Sequence, residues 1–428
     1  MTNISKNDKR ILTVAIVGFG TVGKSVAKVL CSSLHSNLHL THIFNRNIES
    51  KRSNWVPEEV VWTENIKEVL DSDVDIVVEL IGGIEPASDW IRQALMNQKS
   101  VVTANKQLIA NCGAELEVLA EKKKQKLYFE AAVAGGVPII RGLKEGLAGD
   151  RIFQILGILN GTSNYILTRM EIDQVAFDVA VQEAKDLGYA ESDPTSDVDG
   201  YDAQAKLAIL SAVGLRRAIN VEQIYLKTIT ALEPFDFVYA RHLNCTIRQI
   251  AKVELVNSNK HQIIASVQPT LVRRTSELAA VEGSRNIVLA KGEFGGETAF
   301  SGNGAGGNPT AVAVVSDLDA ITREGTALST SLLPPMPDIE VLSGTISPQY
   351  VRFIVSDRPG IIADLANVFS RYNLNIDSII QEPGWSKDEL PFVVTLEPCN
   401  SEVLNQALNE SASFDFQVKP PLGIPILT

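Results

Sequence analysis

Residues 188–206 concentrate side chains that can do chemistry. Gly188-Tyr189-Ala190-Glu191-Ser192-Asp193-Pro194 is followed by Asp197, Gly200, Asp202 and Lys206. Carboxylates at this density can hold a positively charged ligand, and a lysine among them can stand beside a reacting atom. The proline and the acids suit a turn that opens a helix. On that helix Asp202 and Lys206 stand at i and i+4, on one face. The residue types fit a small zwitterion held next to a proton donor. A solvated loop followed by an ordinary Asp–Lys helix pair would read the same way from this segment alone.

A second constellation lies near the start of the chain. Gly18-Phe19-Gly20-Thr21-Val22-Gly23 follows the apolar, β-branched run Ile11–Val17 and precedes a helical pattern through Val26, Ala27, Val29 and Leu30. Glycines at these spacings let the backbone turn sharply and approach a pyrophosphate, whose charge is received at the helix N-terminus. A tight strand-to-helix turn is the plain alternative. The strand, the helix and the similar units after them favour a dinucleotide. An acid at the end of the second strand would select NAD. That position reads Ile43-Phe44-Asn45-Arg46. Arg46 can meet a 2′-phosphate, so NADP(H) is the expected cofactor and NAD(H) a possible one. Thr103-Ala104-Asn105-Lys106 follows another strand, on the edge where such sheets bind ligands. Lys106 can face a reacting oxygen there, or only water.

Composition narrows the class. Of 428 residues, 45% are hydrophobic and 21% charged, as in globular proteins, and the length suggests two to four domains. The formal net charge of −12 argues against a nucleic-acid or anionic-membrane surface. Four scattered cysteines (Cys31, Cys112, Cys245, Cys399) form no CxxC pair, which suits reduced thiols in the cytoplasm. The histidines lack ligand spacing, so no transition-metal site is expected. No window reaches the roughly 20 apolar residues of a membrane helix.

The elements needed to position these groups are legible in outline. Leu38–Phe44, Asp75–Ile81, Ser100–Thr103 and Lys126–Glu130 read as strands, with helices at Trp90–Met96 and Glu115–Lys124. The alternation predicts a doubly wound parallel sheet over residues 10–135. After Gly135-Gly136-Val137-Pro138 the pattern becomes mixed α/β. Ile155–Leu159 reads as a strand, and Asn164–Met170, Phe177–Asp186 and Asp202–Val213 as helices. Gln249–Leu255, Ile263–Val267 and Ile287–Lys291 alternate with an antiparallel tendency. Gly302-Asn303-Gly304-Ala305-Gly306-Gly307 leads through Pro309 into a helix over Thr310–Ile321. Residues 333–348 read as a linker. Beyond it the order is βαββα, with a last strand in Phe414–Val418 or Gly423–Leu427, a ferredoxin-like unit.

Several segments carry a family resemblance. Ala184, Gly188-Tyr189-Ala190, Asp193-Pro194, Asp197-Val198, Gly200, Asp202 and Lys206 resemble the long motif of homoserine dehydrogenase. Ile84-Glu85-Pro86-Ala87, Thr103-Ala104-Asn105-Lys106, Gly135-Gly136-Val137-Pro138-Ile139-Ile140 and Ile158-Leu159-Asn160-Gly161-Thr162-Ser163-Asn164-Tyr165-Ile166-Leu167 are similar to it as well. The resemblance spans residues 10–330. Asp357-Arg358-Pro359-Gly360-Ile361 and Asn375-Ile376-Asp377 resemble an ACT domain, so the whole looks like the monofunctional long form, without a kinase segment ahead of it. The implied fold is a Rossmann-type sheet over 1–134 completed by 303–332, a mixed α/β substrate and dimerisation domain over 135–302, and a βαββαβ ACT domain over 349–428.

The resemblance implies reversible oxidation of L-homoserine to L-aspartate 4-semialdehyde, on the route to threonine, methionine and isoleucine. By it, Lys206 donates the proton in reduction, and Lys106 polarises the carbonyl and touches the cofactor. Glu191 and Asp202 bind the ammonium with Asp197 close by, Thr162 and Gly161 orient the carboxylate, and Tyr189 completes the substrate set. Gly18, Phe19, Gly20, Thr21, Val22, Gly23, Arg46, Thr103, Lys106 and Gly306 form the cofactor set. Backbone oxygens of Glu130, Val133, Gly135 and Val137 match a site for a monovalent cation, Na+ or K+. Asp357, Pro359, Gly360 and Asn375 are the regulatory candidates. Threonine, downstream of homoserine, is the expected effector, and self-association as a homodimer or homotetramer is expected. A free lysine titrates near ~10.4, so the oxidation rate is expected to rise toward alkaline pH. Two other readings remain at this point: another ACT-bearing dehydrogenase, such as a phosphoglycerate dehydrogenase, or a non-catalytic NADP and amino-acid sensor.

Overall fold

The structure is a computed structural model, and it describes residues 11–32, 34–256, 261–324, 339–342 and 344–427. The chain forms two compact units. The first holds Met1–Ile155, Ala205–Val221 and Asn286–Ile339; the second holds Leu156–Gln204, Glu222–Arg285 and Glu340–Thr428. The ACT-like tail thus belongs to the second unit, and the segment 286–303 to the first.

In the first unit β1 (Leu12–Val17), β2 (Leu38–Phe44), β3 (Val61–Thr63), β4 (Ile76–Glu79), β5 (Ser100–Thr103) and β6 (Leu127–Tyr128) form one sheet. Its order is β3-β2-β1-β4-β5-β6, and every neighbouring pair is parallel. The order reverses between β1 and β4, which opens a crevice at their C-terminal ends. β4 and β5 are buried throughout, as continuous apolar strands covered on both faces must be. The strand expected over Asp75–Ile81 is the shorter β4. β3 is a further strand, too short to show a period. The strand expected over Lys126–Glu130 stops at Tyr128, and Glu130 turns into a 3-10 segment, Glu130–Ala132.

The helices of this unit are α1 (Thr21–Leu30), α2 (Ile66–Leu70), α3 (Ala87–Met96), α4 (Lys106–Lys123) and the short α5 (Ile139–Arg141). α4 begins nine residues earlier than the Glu115–Lys124 pattern indicates, and so makes Lys106 its first residue. The cause is Asn105, whose side chain accepts from Leu108 N and caps the helix.

β7 (Ile152–Ile158) carries the chain toward the second unit. There follow α6 (Gly161–Asp173), α7 (Phe177–Asp186), α8 (Thr195–Val198), α9 (Tyr201–Leu210), β8 (Tyr225–Leu226), α10 (Pro234–His242), β9 (Cys245–Leu255) and β10 (Gln262–Arg273). α9 passes into a π-helical turn, Ser211–Leu215. β10 pairs antiparallel with β9 and parallel with β8, so this is a mixed sheet. β11 (Arg285–Gly292), β12 (Gly296–Asn303) and α11 (Gly307–Glu324) return to the first unit. There Ala311, Val314 and Leu318 of α11 share a core with Val14, Ile16, Val26 and Ala27 of β1 and α1.

Of the expected linker 333–348, residues 333–338 and 343 lie outside the described residues. Glu340–Leu342 form β13, which pairs in parallel with β10. β14 (Ile346–Val355), α12 (Ile361–Arg371), β15 (Ile376–Ile380), β16 (Leu390–Asn400), α13 (Ser401–Ser411) and β17 (Gln417–Pro425) then realise the βαββαβ order. The sheet order is β15-β16-β14-β17, all antiparallel. The period of two along β14 decides its contacts. Val351, Phe353 and Val355 face α12 and α13, in a core with Leu365, Phe369 and Leu404. Tyr350 faces the other way, with Val393, Leu422 and Ile424, onto Ile166 and Leu167 of α6 and Phe237 and Tyr239 of α10. Asp236 is fully buried there. It accepts from Tyr350 Oη at 2.7 Å and from Arg352 Nη1 at 2.7 Å.

Candidate active site

The first glycine loop divides its tasks. Gly18 has φ of +108°, and a Cβ there would stand 2.8 Å from the Leu80 carbonyl oxygen. Only glycine accepts both conditions. Gly20 ends the loop with open space around it and no side chain capping α1. The first N–H groups of α1 are therefore left for a ligand, and a missing Cβ lets an anion approach. Gly23 lets α1 lie against the loop itself. The Phe19 ring is buried against Trp62 and Trp55, with centroids 4.9 and 6.3 Å away. Its N–H donates to Asn45 Oδ1 at 3.3 Å. Thr21 and Arg46 are exposed and Val22 is half-buried.

The edges of β4 and β5 are tied together. Glu79, at the end of β4, is 1% exposed. Its carboxylate accepts from Thr103 Oγ1 at 2.6 Å, Ile81 N at 2.8 Å and Gly82 N at 3.2 Å. Asn105 Nδ2 donates to the Gly83 carbonyl at 2.6 Å. These bonds hold the two loops and set half-buried Lys106 at the head of α4. Sequence reasoning missed Glu79. Its signal was an acid closing an otherwise apolar strand.

The second glycine loop adjoins the first. A Cβ on Gly307 would stand 2.7 Å from Ser25 Oγ of α1, and Ser25 Oγ bonds Asn308 Oδ1 at 3.0 Å. Gly306 has φ of +111° and is exposed. The same loop meets the 133–137 turn: Gly136 N donates to the Asn303 carbonyl at 3.2 Å, and a Cβ on Gly135 would stand 2.5 Å from Gly304 O.

Glu130, Val133, Gly135 and Val137 are all buried on that turn, with Ala134 and Gly135 at positive φ. The Glu130 carboxylate is already engaged by Ile140 N at 2.8 Å and Arg141 N at 2.9 Å. Asp317 accepts from Glu130 N at 2.8 Å and Arg141 Nη2 at 2.8 Å. Burial first, and then the charge of Glu130, push the Asp317 carboxyl up to about 8; burial also raises Glu130. Among the described residues no three His, Cys, Asp or Glu side chains gather as metal ligands.

In the second unit the polar segment forms two turns. Gly188 and Gly200 take φ of +74° and +91°, Pro194 opens α8, and Tyr201 opens α9. α9 carries Asp202 in this unit and, one turn on, half-buried Lys206, which is assigned to the first unit. The unexpected centre of this cluster is Asn160. Its Nδ2 donates to Asp197 Oδ1 at 2.6 Å and to Asp202 Oδ2 at 2.9 Å. Its Oδ1 accepts from Ser163 N at 2.7 Å and so caps α6. Thr162 Oγ1 donates to the Tyr189 carbonyl at 2.7 Å, and the Tyr189 ring lies 5.0 Å from that of Tyr165. Gly161 packs on Ser284, where a Cβ would stand 2.6 Å from the carbonyl oxygen. Asn160, Asp197 and Asp202 thus come together, with Thr162 and Tyr189 tied beside them. Glu191 is exposed. The only sequence signal for Asn160 was its place between a strand and a helix.

In the ACT-like tail Asp357, Pro359, Gly360 and Asn375 are exposed. Gly360, at φ +99°, stands just ahead of α12. Asn375 Nδ2 donates to Glu397 Oε2 at 3.1 Å.

A parallel sheet whose order reverses beside two abutting glycine loops has the form of a dinucleotide-binding domain. Comparison with known proteins makes the class specific. Residues 18–130 match the model of the homoserine dehydrogenase NAD-binding domain, residues 138–318 that of homoserine dehydrogenase, and residues 349–410 that of the ACT domain. The chain is 37% identical to homoserine dehydrogenase of Bacillus subtilis, over 92% of this chain and 93% of that one. A crystal structure of a homoserine dehydrogenase from Thiobacillus denitrificans superposes with a TM-score of 0.88 at 34% identity, covering 97% of this chain and 98% of that one. A hyperthermophilic archaeal homoserine dehydrogenase in complex with NADPH matches with a TM-score of 0.63 at 28% identity, over 75% of this chain and 99% of that one. The chain belongs to the homoserine dehydrogenase family, as an oxidoreductase that carries an ACT domain.

Proposed function

We propose that the chain interconverts L-homoserine and L-aspartate 4-semialdehyde, with NADP(H) preferred. The observation that carries the proposal is the Asn160 amide, which holds Asp197 and Asp202 as one paired acceptor, with Lys206 one helical turn further along α9. Two carboxylates held by one donor suit a substrate ammonium. Thr162 and Gly161, at the first turn of α6, suit its carboxylate, where N–H groups and the helix dipole favour a negative charge. Tyr189 and Glu191 close the substrate set. Lys206 gives or takes the proton at the substrate oxygen, and Lys106, at the head of α4, polarises it. The bound cofactor supplies the hydride acceptor or donor.

Gly18, Phe19, Gly20, Thr21, Val22 and Gly23 would hold the pyrophosphate, with Thr103, Lys106 and Gly306 toward the nicotinamide. The open space at Gly20 and the uncapped start of α1 support this placement. Exposed Arg46, two residues past β2, supports the choice of NADP, as does the NADPH complex of the archaeal relative. A Na+ or K+ ion on the carbonyls of Glu130, Val133, Gly135 and Val137 belongs to the same reading, supported by the buried positive-φ turn. So do a cytoplasmic location, which the unpaired cysteines support, and the route to threonine, methionine and isoleucine. Exposed Tyr201 and Tyr225 in the second unit favour a homodimer or homotetramer. Asp357, Pro359, Gly360 and Asn375 on the ACT domain are the residues proposed to take a threonine effector.

The test is turnover at 340 nm with homoserine and NADP. Lys206→Ala should abolish it while leaving NADPH binding nearly intact. NADPH binding by the unaltered protein without turnover would instead identify a sensor. A threonine titration that leaves activity unchanged would remove the effector.

A further inference from the structure

Gln249, near the middle of β9, is 3% exposed and uses only half of its amide. Its Oε1 accepts from Ser163 Oγ at 2.8 Å, while its Nε2 has no hydrogen-bond partner among the described residues. An amide buried with one end unpaired is costly and asks for an explanation. Two independent contacts lead from it to the Asp197–Asp202 pair. Through the first, Ser163 joins Gln249 to Asn160, because Ser163 N donates to Asn160 Oδ1 at 2.7 Å. Through the second, the free Nε2 lies against Gly200, the turn residue between the two acids. A Cβ on Gly200 would stand 3.5 Å from it. Gly200 keeps φ of +91°, and Val267 and Leu226 also crowd this corner, at 3.0 and 3.4 Å from the same Cβ.

We infer that Gln249 is a positioning residue for substrate recognition: through Ser163 it fixes the rotamer of Asn160, and Asn160 holds Asp197 and Asp202 in register as an ammonium socket. The inference rests on the functional reading above. An amide that can rotate no longer presents both N–H bonds to the two acids, and like charges at short range then push the carboxylates apart. The cost falls on binding of the substrate and spares the proton donor. Gln249 touches none of the reacting atoms, so its loss separates KM from kcat.

The experiment uses the full chain and the variants Gln249→Met, Ser163→Ala and the double substitution. Methionine keeps the length of the side chain and removes its acceptor. Each single change should raise KM for homoserine on the order of tenfold, the effect of one hydrogen bond to a charged system, with kcat within about twofold. NADPH affinity, read by fluorescence titration, should stay unchanged. The double variant should be no worse than either single one, because both cut the same chain of bonds. Unchanged KM in Ser163→Ala, or KM increases that multiply in the double variant, would overturn the inference. If Gln249→Met fails to fold or to bind NADPH, Ser163→Ala decides alone. Absence of homoserine turnover in the unaltered protein would overturn the functional reading and this inference together.

Discussion

A Cβ placed on Gly23 would stand 2.1 Å from the carbonyl oxygen of Gly18. The first helix of the nucleotide sheet is thus packed against its own entry loop, at a separation that no side chain fits. Gly20, between them, has nothing within 4 Å. The two glycines therefore separate stability from ligand binding.

Gly23→Ala should destabilise the protein by about 1–3 kcal/mol, the cost of overpacking, because backbone has to move. Gly20→Ala should leave the melting temperature unchanged and weaken NADPH by roughly tenfold, since its methyl group fills the space meant for the pyrophosphate. Thermal unfolding and NADPH titration of both variants check this. Equal losses of stability would remove the distinction.

Asn160→Ala should raise KM for homoserine by about tenfold or more, through loss of two bonds to carboxylates. It should also lower stability by about 1 kcal/mol, because the cap of α6 is lost. NADPH affinity should not change. Steady-state kinetics with a parallel denaturation curve give both numbers.

The Asp317 and Glu130 carboxyls are raised, Asp317 to about 8, by burial first and by each other's charge in the case of Asp317. An ordinary carboxylate titrates near ~4, so between that pH and about 8 the native protein binds more protons than the unfolded chain. The contribution of this pair to stability is therefore fully present below the unfolded value and is lost as pH rises toward 8. Melting temperatures from pH 5 to 8.5 should fall in the unaltered protein. In Asp317→Asn the slope should be shallower, and an identical slope would contradict the assignment.

Arg352 and Asp236 are 3% and 0% exposed and share a bond of 2.7 Å. Burial raises the Asp236 carboxyl, and Arg352 opposes that shift. Arg352→Leu should cost about 3–5 kcal/mol, because it strands a buried charge. Adding Asp236→Asn should recover part of the loss. A denaturant series on the two singles and the double measures the coupling.

Much of the fold was readable because its signals are local. Leu38–Phe44 has the same bounds in sequence and structure, and its apolar residues Leu38, Leu40, Ile43 and Phe44 are the buried ones. The βαββαβ order of the tail follows from alternating periods of two and 3.6. β3, three residues long, has no period to show. β17 runs through Pro420 and Pro421, which argue against a strand; it survives as an edge strand of its sheet, where an N–H need not pair. The head of α4 was missed because Asn105 acts as a cap only once Leu108 N lies within reach.

The candidate residue types, namely the glycine loop, the two lysines and the acids, were determined by the sequence alone, because spacing along one turn or one helix face is a property of the local chain. What only the tertiary structure decided is which acids act together. Asn160 reaches Asp197 and Asp202 across 37 and 42 residues, and Gln249 reaches Ser163 across 86. Those distances are closed by packing β9 and α6 around a shared core, and burial turns a chance neighbourhood into an obligatory bond, since a buried polar group without a partner is costly.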